Sequence, residues 1–222
     1  MSQFALVSVV VPLHDHADVV AQTLDSILGQ DHHPVELVVV DDGSCDGGAD
    51  VVAGYEPRVR VIRQSRMGAA SARNRGLDLT SGELVVFFDA DDLMPAGRLR
   101  RQAAALARHP ELDGVFGDVV EFRPGTPWRS EPRPGRLPGS LMLRRRALER
   151  AGSFREGGAQ VEAVEWAARA HDAGLNLKHL PGVAMERRLH PGNHSRATDH
   201  REYLRVLKVI LDRRRADGSA AS

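Results

Sequence analysis

Apolar residues in this chain fall into short blocks parted by polar turns, and the spacing inside the blocks alternates between two kinds. Ala5 to Val11 is an almost unbroken β-branched run closed by Pro12, which predicts a strand buried on both faces. From Asp18 to Leu28 the period lengthens: Val20, Leu24, Ile27 and Leu28 share one helical face, and Gly29 ends it. Val35 to Val40 predicts a second buried strand, running into Asp41-Asp42-Gly43-Ser44. A short helix near Ala49 to Ala53, a strand over Arg58 to Arg63, a helix over Gly68 to Leu79 and a strand from Leu84 to Phe88 continue the rhythm. Strands alternating with helices in this way predict an α/β fold, with a mostly parallel central sheet and helices on both faces.

The second half is less regular. Leu99, Ala103 and Leu106 mark a helix and Val115 to Phe122 a strand, after which prolines and glycines crowd Arg123 to Gly139 and predict a loop. Regular structure resumes over Leu141 to Arg150, Val161 to Ala173 is a helix stopped by Gly174, and Leu177 to Met185 is short and mixed. Asp199 to Arg215 predicts a last amphipathic helix with Leu204, Leu207 and Leu211 on one side, before a polar tail over 216–222. That stripe serves an interface as readily as a core, so a homodimer is compatible with it.

Composition narrows the choice. At 222 residues there is room for one large domain, and 30 acidic against 30 basic side chains leave no global field to attract nucleic acid. The apolar runs are strand-sized, far short of the roughly 20 residues of a membrane span. A single cysteine, Cys45, excludes an internal disulfide and a cysteine zinc cluster, and no leader-like segment opens the chain, so a cytoplasmic protein is expected.

Two predicted strands end in acids. Asp89, Asp91 and Asp92 put three carboxylates within four residues of one tip, where they repel one another unless a cation such as a divalent metal neutralises them. Parallel sheets bind ligands at the carboxyl ends of their strands, so a metal-bound phosphate is expected there. At the other tip, Asp42 is suited to accept a hydrogen bond from a base N–H or a ribose hydroxyl, although a capped turn accounts for it equally well. No G-x-G-x-x-G follows either strand, which argues against a dinucleotide fingerprint.

Taken together, VSVVVPLHD, VVVDDGS, MGAASARNRGL, GELVVFFDADDLMP and GSLMLRRRALERAGSF, in this order from about Ser8 to Leu180, resemble the family 2 glycosyltransferases with their GT-A fold. The resemblance implies a single domain over 1–215, with a nucleotide-sugar half to about residue 110, an acceptor half over about 111–195, and the last helix. It implies an inverting enzyme that uses Mn²⁺ or Mg²⁺ and moves a sugar from a nucleotide-diphosphate donor, a UDP-sugar being favoured, to an unidentified acceptor. By position, Pro12, His14 and Asp42 would surround the base, with His14 where the family usually has tyrosine. Arg73 and Asn74 would face the diphosphate and sugar. Asp89 and Asp91 form the D-x-D element, Asp91 the foremost metal ligand, with Asp89, Asp92 and His190 as further candidates.

The family's base is an aspartate in an E-D pair at a helix start. Here the matching stretch holds Glu162 and Glu165 without that pair; three residues apart, both are expected to reach one pocket, with Glu165 slightly preferred. A catalytically silent relative that binds a sugar nucleotide or a partner protein is the alternative. Trp166 is expected to pack, and His32, His33, His171 and His200 to be solvated.

Overall fold

The computed structural model describes residues 5–135, 138–155 and 161–190. The helix expected over 199–215 and the tail after it lie outside the described residues. The first half alternates as the spacing predicts: β1 (Val7–Leu13), α1 (Val20–Leu28), β2 (Val35–Asp42), α2 (Gly48–Ala53), β3 (Arg60–Gln64), α3 (Ala69–Asp78) and β4 (Leu84–Phe87). The second half adds α4 (Arg98–Arg108), β5 (Gly114–Phe122), β6 (Arg133–Pro134), a single 3₁₀ turn (Pro138–Ser140), β7 (Leu141–Arg144), α5 (Arg145–Ala151), α6 (Val161–Asp172) and β8 (Leu177–Arg188).

One sheet in the order β3-β2-β1-β4-β7-β5-β6 organises the molecule, with β8 paired to β5. Strands β1 to β4 run parallel; β7 runs against both β4 and β5, and β8 runs parallel to β5. The carboxyl ends of β1, β2, β4, β5 and β8 therefore share one edge of the sheet. The chain order reverses between β1 and β4, where open α/β sheets form their ligand crevice.

Alternation along the strands sends successive side chains to opposite faces. Val9 and Val11 pack with Val20, Leu24 and Ile27 of α1 and Leu99 and Leu106 of α4. Val10, Val85 and Phe87 face the other way, against Ala70 of α3, Leu148 of α5 and Trp166 of α6.

Three elements depart from the sequence reading. β8 is twelve residues long where a short mixed segment is expected; Pro181 and Gly182 interrupt its periodicity, and the register against β5 shifts near Asp118. The loop after β5 contains the short strand β6, paired with Asp118 and Val119. His32 is buried rather than solvated, with Nε2 2.9 Å from the carbonyl oxygen of Ala5.

Candidate functional site

The acidic turn after β4 is held from two sides. Thr23 of α1 lies with its hydroxyl 2.8 Å from the carbonyl oxygens of both Ala90 and Asp92, its one proton shared between them. From β8, Leu93 and Glu186 exchange backbone hydrogen bonds, so the residues after the turn are zipped to the end of that strand. Arg188 completes the clasp: its N–H donates to Asp92 Oδ1 at 2.8 Å, its Nε to the Asp91 carbonyl at 2.8 Å and its Nη2 to Gln22 at 2.9 Å. From sequence Arg187 or Arg188, beside His190, is a candidate for the diphosphate; the clasp itself is not legible there, because nothing local ties residue 188 to residue 92.

This clasp sorts the three carboxylates. Asp92 is turned inward and buried, accepting from Arg188, so it does not stand beside Asp89 and Asp91 as the further metal candidate it is expected to be. Burial, and next the charges of Asp91 and Asp89, push its carboxyl well above the usual range. Asp91 stays partly exposed, and His190, delivered by the chain leaving β8, lies with Nε2 2.9 Å from Asp91 Oδ2. Asp89, 37% exposed at its side chain, takes a hydrogen bond from Arg73 Nη2 at 2.7 Å. Among the described residues no three His, Cys, Asp or Glu side chains converge as a ready metal cage. A cation at Asp91 and His190 would complete its shell with ligand oxygens.

Arg73 projects from α3 and is buried between two acids, Asp89 and Glu162. Burial alone would lower its pKa; the two carboxylates outweigh that and raise it. Its Nε is buried without a hydrogen-bond partner among the described residues. Burial likewise lifts the Glu162 carboxyl above its ordinary value, against the pull of Arg73 and with a further push from Asp89.

The two candidate bases separate. Burying Trp166 against Phe154, with its Nε1 donating to the Gly152 carbonyl, fixes the phase of α6. Glu162, four residues earlier, lies on the same stripe and turns inward; Glu165, roughly 100° around the helix from Trp166, faces the flank. There Glu165 is paired with Arg169 at 2.8 Å and Arg155 at 3.2 Å. The two glutamates therefore do not share one pocket as expected: Glu162 meets Arg73 beside the acidic turn, and Glu165, the slightly preferred of the two, meets Arg155 and Arg169. The signal was available: an acid four residues before a buried tryptophan.

Asn74 also departs from expectation. Its amide exchanges two hydrogen bonds with the backbone of Phe154, at 2.8 and 2.9 Å, which anchors the segment before α6. Phe154 in turn stacks edge-on to Phe87 of β4, so the aromatic chain Phe87, Phe154, Trp166 sets α6 beside the acidic tip.

Across β1, Pro12 is half-buried beside Val40, and His14 Nδ1 donates to the Asp42 carbonyl at 3.0 Å. The Asp42 carboxylate receives Gln64 Nε2, Met67 N and Gly68 N at 2.7–2.8 Å, so it shapes the loop entering α3 and keeps little capacity for a ligand. Gly43 adopts φ 74° in the turn, and a Cβ there would press on the Arg66 nitrogen at 3.1 Å. Pro12, His14 and Asp42 are together at one end of the crevice, and Asp89, Asp91, Arg73, Glu162 and His190 at the other.

Comparison with known proteins identifies the family. Residues 8–161 match the sequence model of a family described as Glycosyl transferase family 2. A putative teichuronic acid biosynthesis glycosyltransferase, TuaG of Bacillus subtilis, is 33% identical over 126 residues, covering 55% of this chain and 50% of that protein. A PGL/p-HBAD biosynthesis glycosyltransferase of Mycobacterium bovis is 38% identical over 118 residues, 51% of this chain and 46% of that one. The chain thus spans about half the length of the curated relatives it matches. Among solved structures, S. aureus TarS 1–349 in complex with UDP-GlcNAc superposes with a TM-score of 0.75 at 21% identity, covering 92% of this chain and 65% of that one. The mannosyltransferase PcManGT from Pyrobaculum calidifontis, in complex with GDP-Man and Mn²⁺, gives 0.65 at 27% identity, covering 86% and 59%. With a family match over more than half its length and a GT-A fold, the chain belongs to glycosyl transferase family 2.

Proposed function

We propose that this chain is an inverting glycosyltransferase that moves a sugar from a nucleotide-diphosphate sugar, a UDP-sugar favoured, to an acceptor hydroxyl. The observation that carries the reading is Arg73, buried between Asp89 and Glu162 at the carboxyl edge of the sheet, beside the Asp91–His190 pair. A guanidinium fork beside the partly exposed Asp89 suits a diphosphate or sugar oxygen. The complexes of relatives with UDP-GlcNAc and with GDP-Man and Mn²⁺ support a nucleotide-sugar donor and a divalent cofactor, Mn²⁺ or Mg²⁺. Asp91 and His190 would hold that ion, with donor phosphate oxygens completing a shell of hard ligands. When bound, it supplies Lewis acidity against the charge growing on the departing diphosphate.

The residues divide the remaining work. Pro12 and His14 border the base, Asp42 holds the loop beneath it, and Asp89 addresses the ribose or the sugar. Glu162, with its carboxyl raised by burial, takes the acceptor proton as the acceptor oxygen bonds C1 and the C1–O bond to the diphosphate breaks on the opposite face. The lone exposed Cys45 suits a reducing, cytoplasmic setting.

The test is release of nucleoside diphosphate from a panel of UDP- and GDP-sugars with Mn²⁺ or Mg²⁺. Slow hydrolysis that EDTA stops and Asp91→Ala abolishes supports the transferase. Glu162→Gln should cut turnover about 10²-fold or more while Glu165→Gln stays near wild type. Binding without turnover in the wild type would instead favour the silent relative, for which the missing E-D pair speaks.

A further inference from the structure

Beyond β5 the chain folds back as a small hairpin: Ser130 N donates to the Glu121 carbonyl at 2.9 Å, Arg123 N to the Trp128 carbonyl at 3.4 Å, and Phe122 bridges Arg129. At its tip Trp128 is 41% exposed, one of two large apolar side chains left open among the described residues. The hairpin is tied to the acidic turn. Phe122 lies between the guanidinium groups of Arg129 and Arg188, at 5.5 and 5.0 Å, and Arg188 is the residue that clasps Asp91 and Asp92. Leu189 N donates to the Phe122 carbonyl, and the next residue is His190. Two strand spacings of about 4.8 Å thus part Trp128 from the chain at His190, or about 10 Å, close to the span of two sugar rings.

Sheet order gives the hairpin its meaning. The base end of the crevice lies over β1 and β2, whereas β5 stands on the far side of β4, past the sugar end. Arg123 lies over the indole at 4.9 Å and makes no ion pair among the described residues, and the tryptophan keeps 41% of its surface open. A single ring flanked by arginines is small and polar for a protein interface. An amphipathic ring with one cationic neighbour fits a pyranose, whose C–H face stacks while its hydroxyls reach the guanidinium.

We propose that Trp128, backed by Arg123, is the platform on which a pyranose ring of the acceptor stacks, and that it selects glycosides as acceptors. This rests on the transferase reading above and adds the acceptor class to it.

The test uses the full chain and the methyl α- and β-pyranosides of glucose, galactose, mannose and N-acetylglucosamine. Because Trp166 is buried, acrylamide quenching of tryptophan fluorescence reports chiefly on Trp128. At least one pyranoside should shield the wild type and accept sugar in the transfer assay. Trp128→Ala should raise its KM at least tenfold with the donor KM within twofold, Trp128→Phe should recover most of the loss, and Arg123→Ala should weaken it less. If no pyranoside shields or accepts, or if Trp128→Ala accepts normally, the platform assignment falls. Failure of the wild type to hydrolyse any sugar nucleotide would strike the transferase reading, and the quenching assay would still judge Trp128.

Discussion

Removing Arg73 strands a buried acid, and the cost should depend on pH in a way few substitutions produce. Asp89 is over a third exposed, so water screens it and its share is small. Glu162 is buried and has no such relief. In Arg73→Ala its cheapest escape is to take a proton, which relative to an unfolded pKa of 4.5 costs 1.36 kcal/mol per pH unit; as the wild type already bears part of this, the added loss is at most about 3 kcal/mol at pH 7 and under about 1 kcal/mol at pH 5. The sign follows from linkage: with its folded pKa raised, Glu162 costs the native state nothing below 4.5, and the penalty grows as pH rises toward the folded value. A loss of about 3 kcal/mol lowers Tm by roughly 6–12 °C in a domain of this size. The guanidinium's packing over Phe154 adds a smaller, pH-independent loss.

Thermal melts of wild type, Arg73→Ala and Arg73→Ala/Glu162→Gln across this pH range form the assay. The single variant should lose most at neutral pH, and the added Gln should restore stability there but not at acid pH. An Arg73→Ala deficit that is equal at pH 5 and pH 7, or unrelieved by Glu162→Gln, would refute the claim that the two side chains are coupled in a buried pair.

Two further outcomes test the frame that carries the site. Glu36 Oε1 receives Ser8 Oγ, Ser81 N and Gly82 N at 2.6–2.8 Å; burial opposes its charge, but these bonds and Arg145 hold its pKa below the ordinary 4.5. Its stabilisation is present above 4.5 and fades as pH falls through the lowered value, so Glu36→Gln should cost about 1 kcal/mol at neutral pH, a gap that closes in acid melts. Gly76 of α3 sits so close to the sheet that a Cβ would meet Val10 Cγ1 at 2.3 Å. Valine has little rotamer freedom to yield, so Gly76→Ala should cost about 1–3 kcal/mol despite the better helix propensity of alanine. An unchanged Tm would mean that α3 rides higher on β1.

Periodicity is a local property, and what it governs was legible in the residues alone. The uninterrupted Val-rich runs of β1, β2 and β4 announced strands covered on both sides, and the 3.6-residue spacing of α1 and α4 announced the covers. That acids closed β2 and β4 was likewise plain, since a charged tip on an apolar strand needs only adjacency in sequence. Which acid faces outward was not: Asp91 and Asp92 are neighbours, and it is Arg188, ninety-six residues on from Asp92, that draws one of them inward. Glu162 reaches Arg73 because packing of Trp166 on Phe154 sets the rotation of α6, and the amide of Asn74 is committed to that same segment. Partners of this kind are chosen by elements that meet only when the sheet closes, so their identities belong to the tertiary fold and leave no period in the chain.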